Sequence, residues 1–386
     1  MASQMSTLDD RPATMTLMRK LRNISWMLVV LIAVTAGVGF MMLYSAANGS
    51  IDPWVTRQFV RFCIGVALMF FVAFVDIRIW LRLAVPIYAL ALALLVAVQL
   101  MGTVGMGAQR WVDLGIFNLQ PSEVMKIALV LGLARYFHAV PPEEISRLRW
   151  LIIPVAMIVA PATLVLLQPD LGTAALLVAG GMMMLFLAGV RLWKFAVVIG
   201  GALAAIPFAW AYLRGYQQER ILTFLDPERD PLGAGYHILQ SKIALGSGGI
   251  WGKGFLLGTQ SHLNFLPEKQ TDFIFTTLAE EFGLLGGLFL LALYAAMLGY
   301  GFAIGIRARS HFSRFVGLGV TGTFFLYVFV NVAMVTGLVP VVGVPLPLIS
   351  YGGTAMVTLL IGFGLLLSVH IHRDVQIPRR PGLEPN

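Results

Sequence analysis

Pro267-Glu-Lys-Gln-Thr-Asp-Phe-Ile-Phe-Thr-Thr-Leu-Ala-Glu-Glu-Phe-Gly283 sets Glu268, Lys269, Asp272, Glu280 and Glu281 into one short run of a chain that is only 12% charged. Directly after it, from Leu284, comes an apolar segment long enough to cross a bilayer, which takes about 20 apolar residues. A carboxylate at the mouth of a membrane helix is costly unless it is solvated, paired or used. This junction reads as an active site, and the rest of the chain as a membrane scaffold around it.

The composition supports the scaffold. Hydrophobic residues make up 58% of 386 residues, and apolar runs of about membrane length recur along the chain. The runs are continuous rather than alternating, which argues against a closed barrel. One polytopic domain over 1–386 is a better reading than several soluble ones. The net charge of +8 raises the question of nucleic acid. The basic residues sit in short clusters between apolar runs, however, as membrane topology requires, so no nucleic-acid partner is expected. Cys63 is the single cysteine and lies in an apolar run, which rules out an intrachain disulfide and a Cys-rich metal site.

Ten spans are expected, at roughly 24–46, 57–75, 83–101, 121–138, 151–168, 171–189, 194–213, 273–306, 315–337 and 353–370. The first is too long for a signal-peptide core and reads as uncleaved. The eighth is long for one crossing, so its first turns are expected at the surface. Lys and Arg gather in alternate turns, which puts both termini in the cytoplasm, with tails at 1–23 and 371–386. The class is therefore an all-α integral membrane protein with a large external loop, 214–272, between the seventh and eighth helices. The aromatic and aliphatic residues of that loop argue for ordered re-entrant or interfacial pieces.

Five further stretches carry polar chemistry. Gln109–Gly115 precedes Gln120–Lys126, where Glu123 and Lys126 lie three apart and share a helix face. They form either a local ion pair or the lining of a cavity open to the outside. In Gln168–Thr173, Asp170 either caps the next helix or adds an acid to the active face. Gly246–Gly254 lacks the spacing of a nucleotide-binding loop, although Lys253 remains able to meet a diphosphate. Leu338–Thr354 puts three prolines at membrane depth, so its backbone must be buried in protein or line a water-filled cavity, where Ser350 and Tyr351 offer hydroxyls. No His, Asp or Glu set has metal-ligand spacing.

Taken together and in order, these motifs resemble the SEDS family of cell-wall polymerases, the RodA/FtsW group, over nearly the whole chain. The short termini and the form Pro267–Asp272 are more similar to the RodA branch. The resemblance implies a peptidoglycan glycosyltransferase that polymerises lipid II at the outer face of the plasma (inner) membrane during elongation. It implies Asp272 as the catalytic aspartate, with Trp111, Glu123, Lys126 and Asp170 at sensitive cavity positions and Arg57 as a weaker match. Gln270 departs from relatives, which often carry His there.

In that chemistry Asp272 is the general base on the acceptor 4-hydroxyl, with inversion at the donor's anomeric carbon. Lys126, Arg57 and Lys269, or a divalent cation (magnesium or manganese), would carry the charge of the departing polyprenyl diphosphate, and Ser350 is a further substrate-binding candidate. The sequence itself reveals no metal. The resemblance also implies a class B penicillin-binding protein as transpeptidase partner, beside membrane lipids. Two other readings stay open: a lipid II flippase, and a non-catalytic scaffold for the transpeptidase.

Overall fold

The computed structural model describes residues 15–378 except 102, 106–107, 114–117, 213–214, 216–217, 220–221, 224–225, 227–233, 264 and 267. A short helix α1 (Leu17–Arg22) leads into α2 (Trp26–Ala46), α3 (Trp54–Phe74) and α4 (Ile77–Met101). Then come α5 (Pro121–Ala139), α6 (Leu148–Leu167), α7 (Leu171–Ala188) and α8 (Leu192–Tyr212). In the long connection the described residues include α9 (Ala234–Ser247) and α10 (Thr259–His262), and then come α11 (Ile274–Arg307), α12 (His311–Val335) and α13 (Gly353–Ile371).

Eight of these are long and apolar enough to cross a membrane. The other two expected spans correspond to α5, which carries Glu123, Lys126 and Arg135, and to α8. Local chemistry sets several ends: Pro121 occupies the first turn of α5, Asp170 caps α7, and Gly189 closes α7 in the left-handed region at φ 97°. At the centre stands α12, packed against α5, α7, α11 and α13.

One expectation needs correction. The stretch before α5 is not merely a loop. Strands β1 (Thr103–Gly105), β2 (Ala108–Asp113) and β3 (Asn118–Leu119) form a small antiparallel sheet in the order β1-β2-β3, so the fold is helical with one β element. Trp111 and Val112 are residue types that suit a half-buried pleated surface. The early turns of the eighth span pack inside the protein. Residues Ile274 to Glu281 are all buried, and α11 is interrupted at Gly283 (φ 65°, ψ −161°).

The interruption frees backbone groups that a continuous helix would pair, and the glycine-rich loop takes them up. Lys253 and Gly254 donate their amides to the carbonyls of Glu280 and Glu281, each at 3.0 Å. In return, the amides of Leu284 and Leu285 donate to the carbonyls of Gly249 (2.9 Å) and Ile250 (3.2 Å). Buried unpaired amides are expensive, so this reciprocal pairing is what makes the break tolerable. Gly246–Gly254 is therefore a plug in a broken helix.

The approach leaves no room for side chains at the crossing. A Cβ on Gly283 would stand 2.4 Å from the Gly252 nitrogen, and one on Gly252 would stand 2.1 Å from the Glu281 carbonyl oxygen. The strained backbone alone costs an alanine about 1–3 kcal/mol. Gly283→Ala should lower the thermal midpoint of the detergent-solubilised protein by several degrees. Gly299→Ala, where a Cβ meets nothing within 4 Å, should leave it unchanged or raised.

Candidate active site

Residues 340–352 run between α12 and α13 without regular structure, and several candidates are organised around them. Helices supply the hydrogen bonds that this backbone cannot make with itself. Gln58 of α3 donates to the Ser350 carbonyl (2.9 Å), Tyr294 of α11 to that of Pro347 (2.7 Å), and Asn331 of α12 to that of Val344 (2.7 Å). Ser350 accepts the Leu346 amide on its hydroxyl (2.8 Å) and donates that hydroxyl to the Thr271 carbonyl (2.5 Å). Leu346–Ser350 is thus buried in protein, while Pro340–Val342 are half-buried and Gly343 is exposed.

Asp272 sits half-buried just ahead of α11, its carboxylate facing this wall. A Cβ built on Gly343 would be 3.5 Å from Asp272 Oδ2. No hydrogen bond or ion pair from a described residue reaches that carboxylate. Burial, and then the negative charge of Glu268, raise its pKa to about 6. Glu268 is itself occupied: its Oε2 accepts from Thr271 (3.0 Å) and Gln270 (3.2 Å). Asp272 is therefore an unneutralised carboxylate poised near physiological pH, which is the condition a general base needs.

On α5, Lys126 Nζ donates to Glu123 Oε1 at 2.7 Å, both side chains being buried. The Tyr327 hydroxyl of α12 bonds to both, and the Lys126 ammonium lies 4.3 Å from the centre of the Tyr327 ring. With Ser350 and Pro345–Leu348 they line a cavity of about 30 Å³, roomy enough for water. Asp272 is not among its lining residues. Glu123 and Lys126 are therefore a local ion pair that also lines a small cavity.

Asp170 caps α7, accepting from the Thr173 amide (3.1 Å) and hydroxyl (2.9 Å). Its other partner is Arg110 of β2, 3.5 Å away, whose guanidinium also donates to the Pro169 carbonyl (3.0 Å). That ties the strand bearing half-buried Trp111 to the start of α7. The same turn abuts the wall, since a Cβ on Gly172 would stand 2.4 Å from the Val342 carbonyl oxygen.

Lys269 points elsewhere. It is buried and donates to the Ser261 carbonyl (2.8 Å), and burial holds its pKa below the ordinary lysine value. Lys253 is likewise engaged, 2.7 Å from the fully buried Glu280, which in turn accepts the Gln260 amide at 3.0 Å. Glu281, equally buried, bonds to Ser45 and lies 3.2 Å from His262. These two acids brace the loop and are not available to a substrate.

Arg57 is exposed on α3 and makes no ion pair or hydrogen bond to a described residue. One turn further on, the Arg61 guanidinium stacks over the Tyr351 ring at 4.9 Å, again with no anionic partner among the described residues. Arg61, Gln58, Tyr327 and Asn331 were not singled out from the sequence. Their signal was a polar side chain recurring at i and i+4 or i and i+3 within an apolar span. No group of three or more His, Cys, Asp or Glu able to hold a metal is found among the described residues.

The family model for FtsW, RodA and SpoVE, described as cell cycle protein, matches residues 23–375. The chain belongs to that family. It is 44% identical over 370 residues to peptidoglycan glycosyltransferase MrdB of Escherichia coli K12, covering 95% of this chain and 99% of that protein. Stage V sporulation protein E of Bacillus subtilis is 36% identical, over 89% of this chain and 96% of that one. Among solved structures, a chain of a peptidoglycan synthase complex that coordinates polymerization and crosslinking superposes with a TM-score of 0.78 at 36% identity, covering 91% of this chain and 98% of that one. Thermus thermophilus rod shape determining protein RodA superposes with a TM-score of 0.68 at 30% identity, covering 91% and 97%. The fold is thus RodA-like, mostly helical and multi-pass.

Breaking a buried pair by removing one partner typically costs about 3–5 kcal/mol, because the other charge stays behind. Lys126→Met should therefore destabilise more than the double variant Glu123→Gln/Lys126→Met, as read by thermal denaturation in detergent across the four-member cycle.

Proposed function

We infer that the chain is a peptidoglycan glycosyltransferase that polymerises lipid II during cell elongation, with Asp272 as general base. The observation that carries the residue assignment is the unpartnered Asp272 carboxylate with its pKa raised to about 6. The deprotonated carboxylate takes the proton of the acceptor's 4-hydroxyl as that oxygen attacks the anomeric carbon of the lipid-linked donor. The bond to the diphosphate breaks with inversion, and polyprenyl diphosphate leaves. General-base help of this kind is worth about 10²–10⁴-fold.

Charge on the leaving diphosphate falls to Arg57 and Arg61, the two cations of α3 that no described carboxylate neutralises. Lys126, already shared between Glu123 and Tyr327, orients polar groups at the cavity. A divalent cation, magnesium or manganese, fits the substrate's diphosphate better than a protein cage, since such ions are commonly held by one or two carboxylates plus phosphate oxygens.

We place ten crossings in the plasma membrane, with α5 and α8 joining the eight apolar spans, both termini cytoplasmic and the long 214–272 connection outside. That puts Asp272 on the external side, where a class B penicillin-binding protein could take the glycan for crosslinking. Lipid II flipping is the competing reading, and it requires charge reachable from both faces.

The test is polymerisation of labelled lipid II by wild type and Asp272→Asn, each with its partner transpeptidase, resolved on a gel. Glycan ladders from wild type alone support the reading. Long glycan from Asp272→Asn refutes the base assignment, and translocation in vesicles without polymer would support the flippase. Because the base must be ionised, the wild-type rate should fall as pH drops through about 6. The pKa is raised on folding, so the charged aspartate opposes folding above that pH and not below the unfolded value. Asp272→Asn should therefore be at least as heat-stable as wild type at neutral pH.

A further inference from the structure

Three consecutive carbonyls hold the segment that ends in Asp272. Gln270 O accepts the Tyr351 amide (2.8 Å), Thr271 O the Ser350 hydroxyl (2.5 Å), and Asp272 O the Nδ2 of Asn331 (3.1 Å). The first two donors belong to the irregular wall. The third belongs to α12, the central helix of the bundle, one turn before its end.

Asn331 is fully buried, and the same Nδ2 also donates to the Val344 carbonyl at 2.7 Å. A carboxamide has one donor end and one acceptor end, and the two carbonyls it faces leave a single workable orientation. Its Oδ1 accepts nothing from the described residues. A carboxamide inside an apolar span is costly unless its hydrogen bonds repay the burial, and here both go to the backbone on either side of the active carboxylate.

We propose that Asn331 is a positioning residue for the polymerisation reaction: it pins the main chain of Asp272 and of Val344 to α12 and so fixes the Asp272 carboxylate against the wall at Gly343. This rests on the reading of Asp272 as the base. It assigns Asn331 no contact with substrate. The helix contributes rigidity that the two irregular segments cannot provide for one another, and misplacing a reacting group by about 1 Å can cost about 10²-fold in rate.

The experiment compares wild type, Asn331→Leu and Asn331→Ser, purified with the partner transpeptidase, for kcat and KM on lipid II and for the pH dependence of the rate. Leucine keeps the branched shape, with somewhat larger methyl groups, and removes both hydrogen bonds, whereas serine can reach at most one carbonyl and carries the test should the leucine variant not accumulate folded. We expect kcat to fall about 10- to 100-fold for leucine and less for serine, with KM within about threefold of wild type. The acid limb of the pH profile should also move below about 6, toward an ordinary aspartate. A released segment readmits water to the carboxylate, while Glu268, the charged neighbour that acts on it, travels on the same segment. A purely structural role would lower the amount of active enzyme and leave the acid limb where it is.

Wild-type kcat and an unmoved limb in both variants would overturn the proposal. So would a loss of rate that tracks folded protein alone. Asp272→Asn, run alongside, separates the two ideas: if it polymerises, the base reading has failed. If it is inactive while the Asn331 variants match wild type, only the positioning role has failed.

Discussion

Backbone amides and carbonyls buried away from water must find partners inside the protein. Two parts of this chain abandon regular helix where that rule is strict. Residues 340–352 cross the bundle as irregular wall, and α11 breaks at Gly283. Much of the polar architecture answers the hydrogen-bonding debt these create. Gln58, Tyr294, Asn331 and the Ser350 hydroxyl serve the wall, and the glycine-rich loop serves the break.

That arrangement has a functional consequence. A carboxylate ready to act as base must be held in place without being neutralised. Main-chain anchoring achieves both, because the carbonyls of Gln270, Thr271 and Asp272 are bound while the Asp272 side chain has no partner among the described residues. The other acids of the same run illustrate the contrast. Glu280 and Glu281 are buried, engaged by Lys253, Ser45 and His262, and serve to hold the loop. Five charges close together in sequence thus divide into one poised group and several braces.

The helical scaffold was legible in the sequence because span length and apolar continuity are one-dimensional properties. Each expected span has a helix within a few residues of it. The Glu123–Lys126 pair was equally legible, since residues three apart on a helix meet without tertiary help. The Asp170 cap followed from local chemistry in the same way. The small sheet of β1–β3 escaped because its strands are short and sit between spans whose periodicity dominates the signal. The break at Gly283 escaped because a helix interruption is written in the partner loop as much as in the helix.

What the sequence determined by itself was the membrane class, the order of the long helices, the cluster of candidate residues and, through ordered motifs, the family. Only the tertiary structure decided which charges are free. Lys253 and Lys269 looked as available as Arg57 until Glu280 and the Ser261 carbonyl were found on them. Tyr327 and Asn331 gained meaning only when α12 was placed at the centre, against α5 on one side and beside the Asp272 segment on the other. The reason is physical: hydrophobic length is a property of a segment, whereas hydrogen-bond satisfaction is a property of the partners that folding brings to it.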